Sequence, residues 1–254
     1  MTSATLNGTE GGEPKGISVE KQLSYYDLVG SMAPGAVLWV AAAMLASILG
    51  YRPSFQVGGI AALGLGLVLV YVLGQLLQAV ASIIEPIYFR VWGGMPSEQL
   101  LTGKSKRMGN TQLETLASAV GARLQLENPL ATESDRRTFF RLCTSLGHEE
   151  KSGRLQQFQG SYALHRGLLT AGLLALIGAS VVAAMQARSA LHLRPAAMSD
   201  LYVTLAIAVA LCAIEIYRAR QRAYYLALQV LDAALIVATQ KPKASTEQAS
   251  SEED

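Results

Sequence analysis

Four stretches of the sequence contain almost no charged side chain, and each is long enough to cross a lipid bilayer as a helix. They comprise residues 31–50, 57–84, 168–187 and 201–217. At about 1.5 Å per residue, roughly 17 to 25 helical residues cover the ~30 Å hydrocarbon layer of a membrane. None of the four stretches contains Lys or Arg, and Glu215 is the single carboxylate among them.

Two alternatives compete with four membrane spans. A soluble protein could bury these stretches as core helices, but such helices seldom contain more than about 14 consecutive apolar residues. Residues 36–49 could form the apolar core of a cleaved signal peptide, but the long preceding segment carries acidic as well as basic residues, unlike a short basic leader. Because 51% of all residues are hydrophobic and only 16% are charged, we predict an all-α polytopic membrane protein with four transmembrane helices.

The distribution of basic residues predicts the orientation, because Lys and Arg resist translocation across the membrane. If both chain ends are cytoplasmic, the external segments hold only Arg52, Arg188 and Arg194, and the other 18 of the 21 basic residues are inside. We therefore predict a multi-pass protein of the bacterial inner (plasma) membrane. Cys143 and Cys212 then fall in the cytosol and in the fourth span, where no disulfide is expected.

Between the second and third spans, residues 87–160 predict a helical cytosolic insertion rather than a simple loop. Two apolar stripes at helical spacing indicate separate helices, divided by the Asn128–Pro129 pair. The stripes are Leu113, Leu116, Val120 and Leu124, then Phe139, Leu142 and Leu146. A third stripe from Leu155 to Leu169 continues into the third span, which predicts one long helix projecting from the bilayer.

The segment after the fourth span predicts a cytosolic amphipathic helix over residues 218–239. Its apolar residues follow a 4-3-4-3 rhythm, typical of a helix that packs on a partner. They are Tyr224, Leu228, Leu231, Leu235 and Ala238. We expect this helix to dock on the insertion or to pair between subunits. The polar segments 1–18 and 240–254 predict disorder.

A carboxylate and a helix-breaking residue stand where the chain enters the first span. Pro34 lacks an N–H and disfavours helix at the residue before it, so it is expected at a helix start or a kink. We predict a short interfacial helix within residues 19–33 and a turn into the bilayer at Pro34–Gly35. Asp27 would remain hydrated or cap a helix, although a functional role for this carboxylate stays open.

One face of the second span is lined with small residues spaced four apart. It comprises Gly58, Ala62, Gly66, Val70 and Gly74. Small residues at this spacing let helix backbones approach closely, and the partner could be the first span or another subunit. Gln75 and Gln78 add polar groups that need hydrogen-bond partners. We favour helix packing over a conduction path for this face.

Motifs for catalysis and for metal or cofactor binding do not emerge. The Gly-Lys-Ser triplet at 103–105 lacks the glycine that a phosphate-binding loop needs at position 98, which is Glu98. The three histidines, His148, His165 and His192, show no metal-ligand spacing. Acidic residues interspersed in the insertion argue against nucleic-acid binding. We predict a non-enzymatic protein without metal or cofactor.

Glu215 is costly inside an apolar span unless it is paired. Arg218 and Arg222 lie three and seven residues further along roughly the same helix face, which predicts an ion pair, while a gating or proton-sensing role remains open. Together with Arg220 they would face anionic headgroups at the inner leaflet, each contributing about 1 kcal/mol. Ordinary orientation-setting charge is the interpretation we favour for these three arginines.

Several short motifs resemble a loosely defined set of uncharacterised bacterial four-span membrane proteins. The first is Tyr-Asp-Leu-x-Gly-x-x-x-Pro-Gly at residues 26–35; Pro96–Ser97 at the start of the insertion and Arg-Gln-Arg-x-Tyr-Tyr at residues 220–225 are the others. The aromatic-plus-Arg-Asn motif before the third span is altered to Tyr162, His165, Arg166 and Gly167. The resemblance implies a context near antiphage-defence genes for some members, and no settled activity.

These observations favour a membrane-bound sensor, effector or anchor that perturbs membrane integrity. Its partners would be the lipid bilayer, further copies of the chain as a homo-oligomer, and a cytosolic protein bound through the insertion. An ion channel or small transporter is the first alternative, and a passive scaffold for a soluble partner is the second.

Overall fold

A computed structural model describes residues 25–51, 59–126, 128–149, 154–188 and 191–240, and this part of the chain contains seven helices and no strand. The helices are α1 (Tyr25–Ile48), α2 (Ile60–Val91), α3 (Pro96–Leu101), α4 (Asn110–Leu124), α5 (Glu133–Gly147), α6 (Arg154–Ala187) and α7 (Pro195–Thr239). The predicted disordered segments lie outside the described residues, apart from Gln240.

Four of these helices, α1, α2, α6 and α7, are long and apolar enough to cross a membrane. The predicted fold class, an all-α polytopic membrane protein, is therefore confirmed. α6 has 34 residues and α7 has 45, so they extend for about 51 Å and 68 Å. Both helices are longer than a ~30 Å hydrocarbon layer requires, so each also builds structure beyond the apolar bundle.

The bundle is built around α6, which packs against α1, α2 and α7, while α1 also packs against α2. Large aliphatic side chains cover its outer surface, such as Ile60, Leu63 and Ile83 on α2, each more than 70% exposed. Such a surface suits lipid, which does not drive apolar side chains inward as water does. We name the end of the bundle beside residues 49–51 and 191–194 the loop end, and the opposite end the domain end.

At the domain end, α3, α4 and α5 pack around the C-terminal half of α7 and form a second apolar core. Its fully buried side chains include Leu100, Leu116, Phe139 and Leu231. We name α3–α5 together with residues 224–237 of α7 the helical domain. The two predicted stripes of the insertion coincide with α4 and α5, and the segment after the fourth span docks on them, as one of our two expectations had it.

Two details of the predicted C-terminal helix are corrected. It is the continuation of the fourth span, because α7 passes through residues 217 and 218 without a break. The residues buried in its interface differ in part: the predicted Tyr224 and Leu231 are buried, but Leu228, Leu235 and Ala238 are only partly buried. Ala227, Val230, Ala234 and Val237 are buried as well. Because α7 is surrounded by three helices, its apolar contact is wider than the two-residue seam of a paired coil.

Side-chain hydrogen bonds cap the start of α5 and the end of α7. The N-cap of α5 is Thr132, whose hydroxyl accepts from the Asp135 N–H while the Asp135 carboxylate accepts from the Thr132 N–H, which is a capping box. At the end of α7, the Arg123 guanidinium donates to the Val237 carbonyl. That carbonyl belongs to the last turn, where helix oxygens lack a backbone donor.

The structure also corrects the predicted turn at Pro34–Gly35. α1 runs from Tyr25 to Ile48 as one helix with Pro34 inside it, and α2 likewise continues through Pro86 to Val91. The reason for continuity at Pro34 lies in the neighbouring helices. Residues 19–24 and the side chain of Asp27 lie outside what the structure describes.

Candidate functional site

A hydrogen bond from α2 repairs the defect that Pro34 makes in α1. Pro34 has no N–H to donate to the carbonyl four residues earlier, which is that of Gly30. Gln78 Nε2 donates to this Gly30 oxygen at 3.0 Å, and it also donates to the Ala163 carbonyl of α6 at 2.8 Å. A membrane helix tolerates proline when a neighbouring helix satisfies the freed group in this way. One glutamine therefore joins three helices.

Glycines let the backbones approach closely at the same junction. A Cβ atom at Gly35 would overlap the Val70 carbonyl, and one at Gly74 would overlap the Ser31 carbonyl. A Cβ atom at Gly167 would lie only 2.7 Å from Pro34 Cγ. Pro34 and Gly35 are thus packing residues inside α1.

Among the described residues of the predicted small-residue face of the second span, close contacts lie in its domain-end half. Gly74 packs on α1, and Gln75 Nε2 donates to the Ser31 hydroxyl at 2.9 Å. Ala62 is partly buried, whereas a Cβ atom at Gly66 would meet nothing within 4 Å. Gly58 lies outside the described residues. A role for Gly66 in contact with another subunit stays a prediction.

Polar side chains form a network one turn further toward the domain end. Arg166 Nη1 donates to Glu85 Oε2 at 2.7 Å, and its Nη2 donates to Gln78 Oε1 at 3.1 Å. Tyr162 donates its hydroxyl to Glu85 Oε1 at 2.5 Å. The side chains of Arg166 and Glu85 are about four-fifths buried. We name Gln78, Glu85, Tyr162 and Arg166 the Arg166 network.

A second buried pair joins α6 to α7. His165 Nδ1 lies 2.7 Å from Glu215 Oε2, and both side chains are more than nine-tenths buried. The contact requires a proton between the two atoms. Because His165 and Arg166 are adjacent on α6, their side chains point to different neighbours: His165 to α7 and Arg166 to α2.

The predicted ion pair between Glu215 and the arginines of α7 is wrong. Packing of α7 on α6 turns the Glu215 side of α7 inward, whereas Arg218 faces outward and is exposed. Arg222 lies about 10 Å further along the helix axis and lines a groove beside Gln157 and Ser161 of α6. Arg220 lines a separate pocket beside α3, so the three arginines do not form one cluster. Their contact with lipid headgroups stays a prediction.

Two buried pairs were not predicted from the sequence: His165 with Glu215, and Arg166 with Glu85. A signal was present, because Tyr162, His165 and Arg166 interrupt an otherwise apolar stripe at positions i, i+3 and i+4. Such spacing places polar groups on neighbouring faces of one helix. Their partners lie 50 to 88 residues away, and only the packing of the bundle brings them together.

Taken together, these contacts form a polar layer where the apolar spans meet the helical domain. Within the described residues, no three His, Cys, Asp or Glu side chains approach closely enough to hold a metal ion. Cys143 and Cys212 are free thiols. The layer can hold helices in register and can exchange protons.

The chain matches no protein-family model, no curated protein and no solved structure. Its resemblance to four-span proteins with the Tyr-Asp-Leu-x-Gly-x-x-x-Pro-Gly motif therefore stays a prediction.

Proposed function

We propose that this membrane protein is a non-enzymatic signal transducer whose helical domain controls the packing of its transmembrane bundle. The supporting observation is that α7 belongs to both parts without a break. Its residue Glu215 pairs with His165 in the polar layer, and its residue Leu231 is buried in the core of the helical domain. A partner or ligand that repositions the helical domain must therefore move α7 against α6.

The polar layer would hold the transmembrane helices together until the helical domain moves. Its ion pairs are four-fifths buried or more, and removing one partner of such a pair leaves an uncompensated charge at a cost of about 3–5 kcal/mol. A small displacement of α7 or α2 would therefore release the layer abruptly. A loosened layer would admit water and ions between the helices, so the output we propose is a change in membrane permeability.

Substitution of a charged residue in the polar layer tests this function. Glu85→Gln removes the charge that Arg166 needs while preserving the size of the side chain. We expect cells expressing this variant to lose membrane potential, measured by dye fluorescence, at expression levels where the parent protein has little effect. Glu133→Gln is the matched control, because Glu133 pairs with Arg137 on an exposed surface. An unchanged potential with Glu85→Gln under every inducing condition would contradict the proposal.

A proton-linked transporter or channel is the second candidate, and the His165–Glu215 pair favours it. A carboxylate and an imidazole that share a proton inside a bundle are a common element of proton relays. Proton flux into liposomes containing the purified chain, abolished by Glu215→Gln, would support this candidate over the transducer.

The remaining parts of the proposal concern location and context. We place the helical domain and both chain ends in the bacterial cytoplasm, because of the uneven distribution of basic residues. A homo-oligomer and a cytosolic partner of the helical domain are part of the same proposal. The family resemblance suggests a role in antiphage defence. Equal phage plating efficiencies with and without the gene would count against that role.

A further inference from the structure

A basic pocket lies between the loop that follows α3 and the middle of α7. Its volume is about 440 Å³, and its lining includes Lys104, Lys106, Arg107, Arg220, Tyr217 and Tyr224. Every charged residue in the lining is cationic. None of these four cations forms an ion pair within the described part of the chain. A cavity with four uncompensated cations favours an anionic ligand.

The loop that carries three of these cations is held in a defined conformation. Gly103 has a φ of 68°, which lets the chain turn back after α3. The Ser105 N–H then donates to the Gln99 carbonyl at 3.0 Å. Gln99 in turn accepts a hydrogen bond from the Tyr224 hydroxyl of α7. The loop is therefore fastened to the helix that forms the opposite wall of the pocket.

Aromatic rings hold one of the cations over α7. The guanidinium carbon of Arg107 lies 5.0 Å from the ring centre of Tyr224 and 5.4 Å from that of Tyr225. These cation–π contacts orient the guanidinium without neutralising its charge. Its N–H groups remain suited to phosphate oxygens, which Arg binds in a bidentate manner.

The position of the pocket along α7 indicates which class of molecule carries the anion. Tyr217 ends the predicted fourth span and is 69% exposed, and Arg220 follows it by one turn. Tyrosine at this depth is typical of the headgroup level of a bilayer. The pocket therefore lies where the apolar surface of α7 gives way to its polar surface. A phosphate there can belong to a lipid whose acyl chains lie against the adjacent apolar helix.

We propose that this pocket binds the phosphate-bearing headgroup of an anionic phospholipid. The lipid would bridge the loop after α3 and α7, and so tie the helical domain to the membrane surface. This inference is independent of the proposed signalling function, because it concerns a different site from the polar layer.

Native mass spectrometry of the full chain in neutral detergent tests the proposal, with cardiolipin and phosphatidylcholine as probes. We expect cardiolipin to bind in preference to phosphatidylcholine. Arg220→Gln should weaken cardiolipin binding about five-fold, since each cation near a lipid surface contributes about 1 kcal/mol. Lys104→Gln should have a similar effect. Arg218→Gln is the matched control: it removes the same charge from an exposed position outside the pocket and should change binding by less than about two-fold.

Two results would overturn the proposal. Equal losses with Arg218→Gln and Arg220→Gln would show general surface charge instead of a pocket. Displacement of cardiolipin by millimolar inorganic phosphate would show that the pocket takes a soluble anion. Melting temperatures of the variants must match that of the parent chain, and Lys106→Gln replaces any variant that fails this requirement.

Discussion

At the scale of single residues, the junction of α1, α2 and α6 depends on two absent groups: the N–H that proline lacks and the Cβ atom that glycine lacks. Pro34 removes one N–H, and Gln78 supplies the replacement donor to the Gly30 carbonyl. The absence of a Cβ atom at Gly74 allows its helix to touch the backbone of α1 at Ser31. The role of each of these residues depends on its contact with another helix.

Alanine substitution at two glycines of α2 should have opposite effects. Gly74→Ala places a methyl group against the Ser31 carbonyl, and we expect a loss of about 1–3 kcal/mol of stability from overpacking. Gly66→Ala meets open space and should be neutral or stabilising by up to about 1 kcal/mol, because Ala favours helix over Gly. Unfolding of the monomer by detergent titration measures both. Equal losses at the two positions would contradict this assignment of contacts.

Cys143 provides a pH-dependent prediction. Burial in the helical domain raises the pKa of its thiol to about 12, from an ordinary value of 9.0. The unfolded chain therefore loses this proton at lower pH than the folded chain, so Cys143 should reduce stability progressively between about pH 9 and pH 12. In a Cys212→Ala background, iodoacetamide should modify the folded protein far more slowly than the denatured protein at pH 9. Equal rates would show that Cys143 is accessible.

At the scale of secondary-structure elements, α7 is the feature that organises the molecule. One helix provides a wall of the apolar bundle, a partner for the buried His165 and the centre of the helical domain. The composition of α7 changes along its length with these surroundings. Aliphatic residues face outward before Tyr217, whereas alanine and valine are buried after Tyr224. A helix shared by two cores transmits displacement from one to the other.

Truncation of Leu231 should loosen the helical domain while leaving the bundle intact. Leu231 is only 1% exposed, and Leu→Ala at such positions costs about 2–5 kcal/mol. Ile236→Ala, at a 42% exposed position of the same helix, should change stability by less than about 0.5 kcal/mol. Hydrogen exchange in nanodiscs should show faster exchange of α4 and α5 amides only in Leu231→Ala. Unaltered exchange there would mean that α7 does not support the domain.

At the scale of the whole molecule, charge is segregated along the axis of the bundle. The long helices are apolar between the loop end and the polar layer, and basic side chains gather from Tyr217 onward on α7 and after Leu101 in the loop that follows α3. Lipid contact explains the apolar part, and the water–membrane boundary explains the change at the polar layer.

Cysteine labelling should reveal the orientation. In a chain lacking Cys143 and Cys212, we expect a membrane-impermeant maleimide to label His192→Cys in intact cells, because that residue is exposed at the loop end. Gln240→Cys, exposed at the other end of α7, should react only after the cells are permeabilised. The reverse pattern would invert the predicted topology.

The number and type of the long helices follow from the sequence alone, because apolar runs of this length without charges favour lipid over water as their surroundings. The sequence also determined α4 and α5, since apolar residues at helical spacing need a surface to pack on. The tertiary structure decided that Pro34 lies inside α1, that Glu215 pairs with His165 instead of Arg218, and that Arg220 joins a pocket with Lys104. These outcomes depend on which faces of distant helices meet, and a helix can satisfy a buried polar group from any neighbour that packing brings within hydrogen-bond distance.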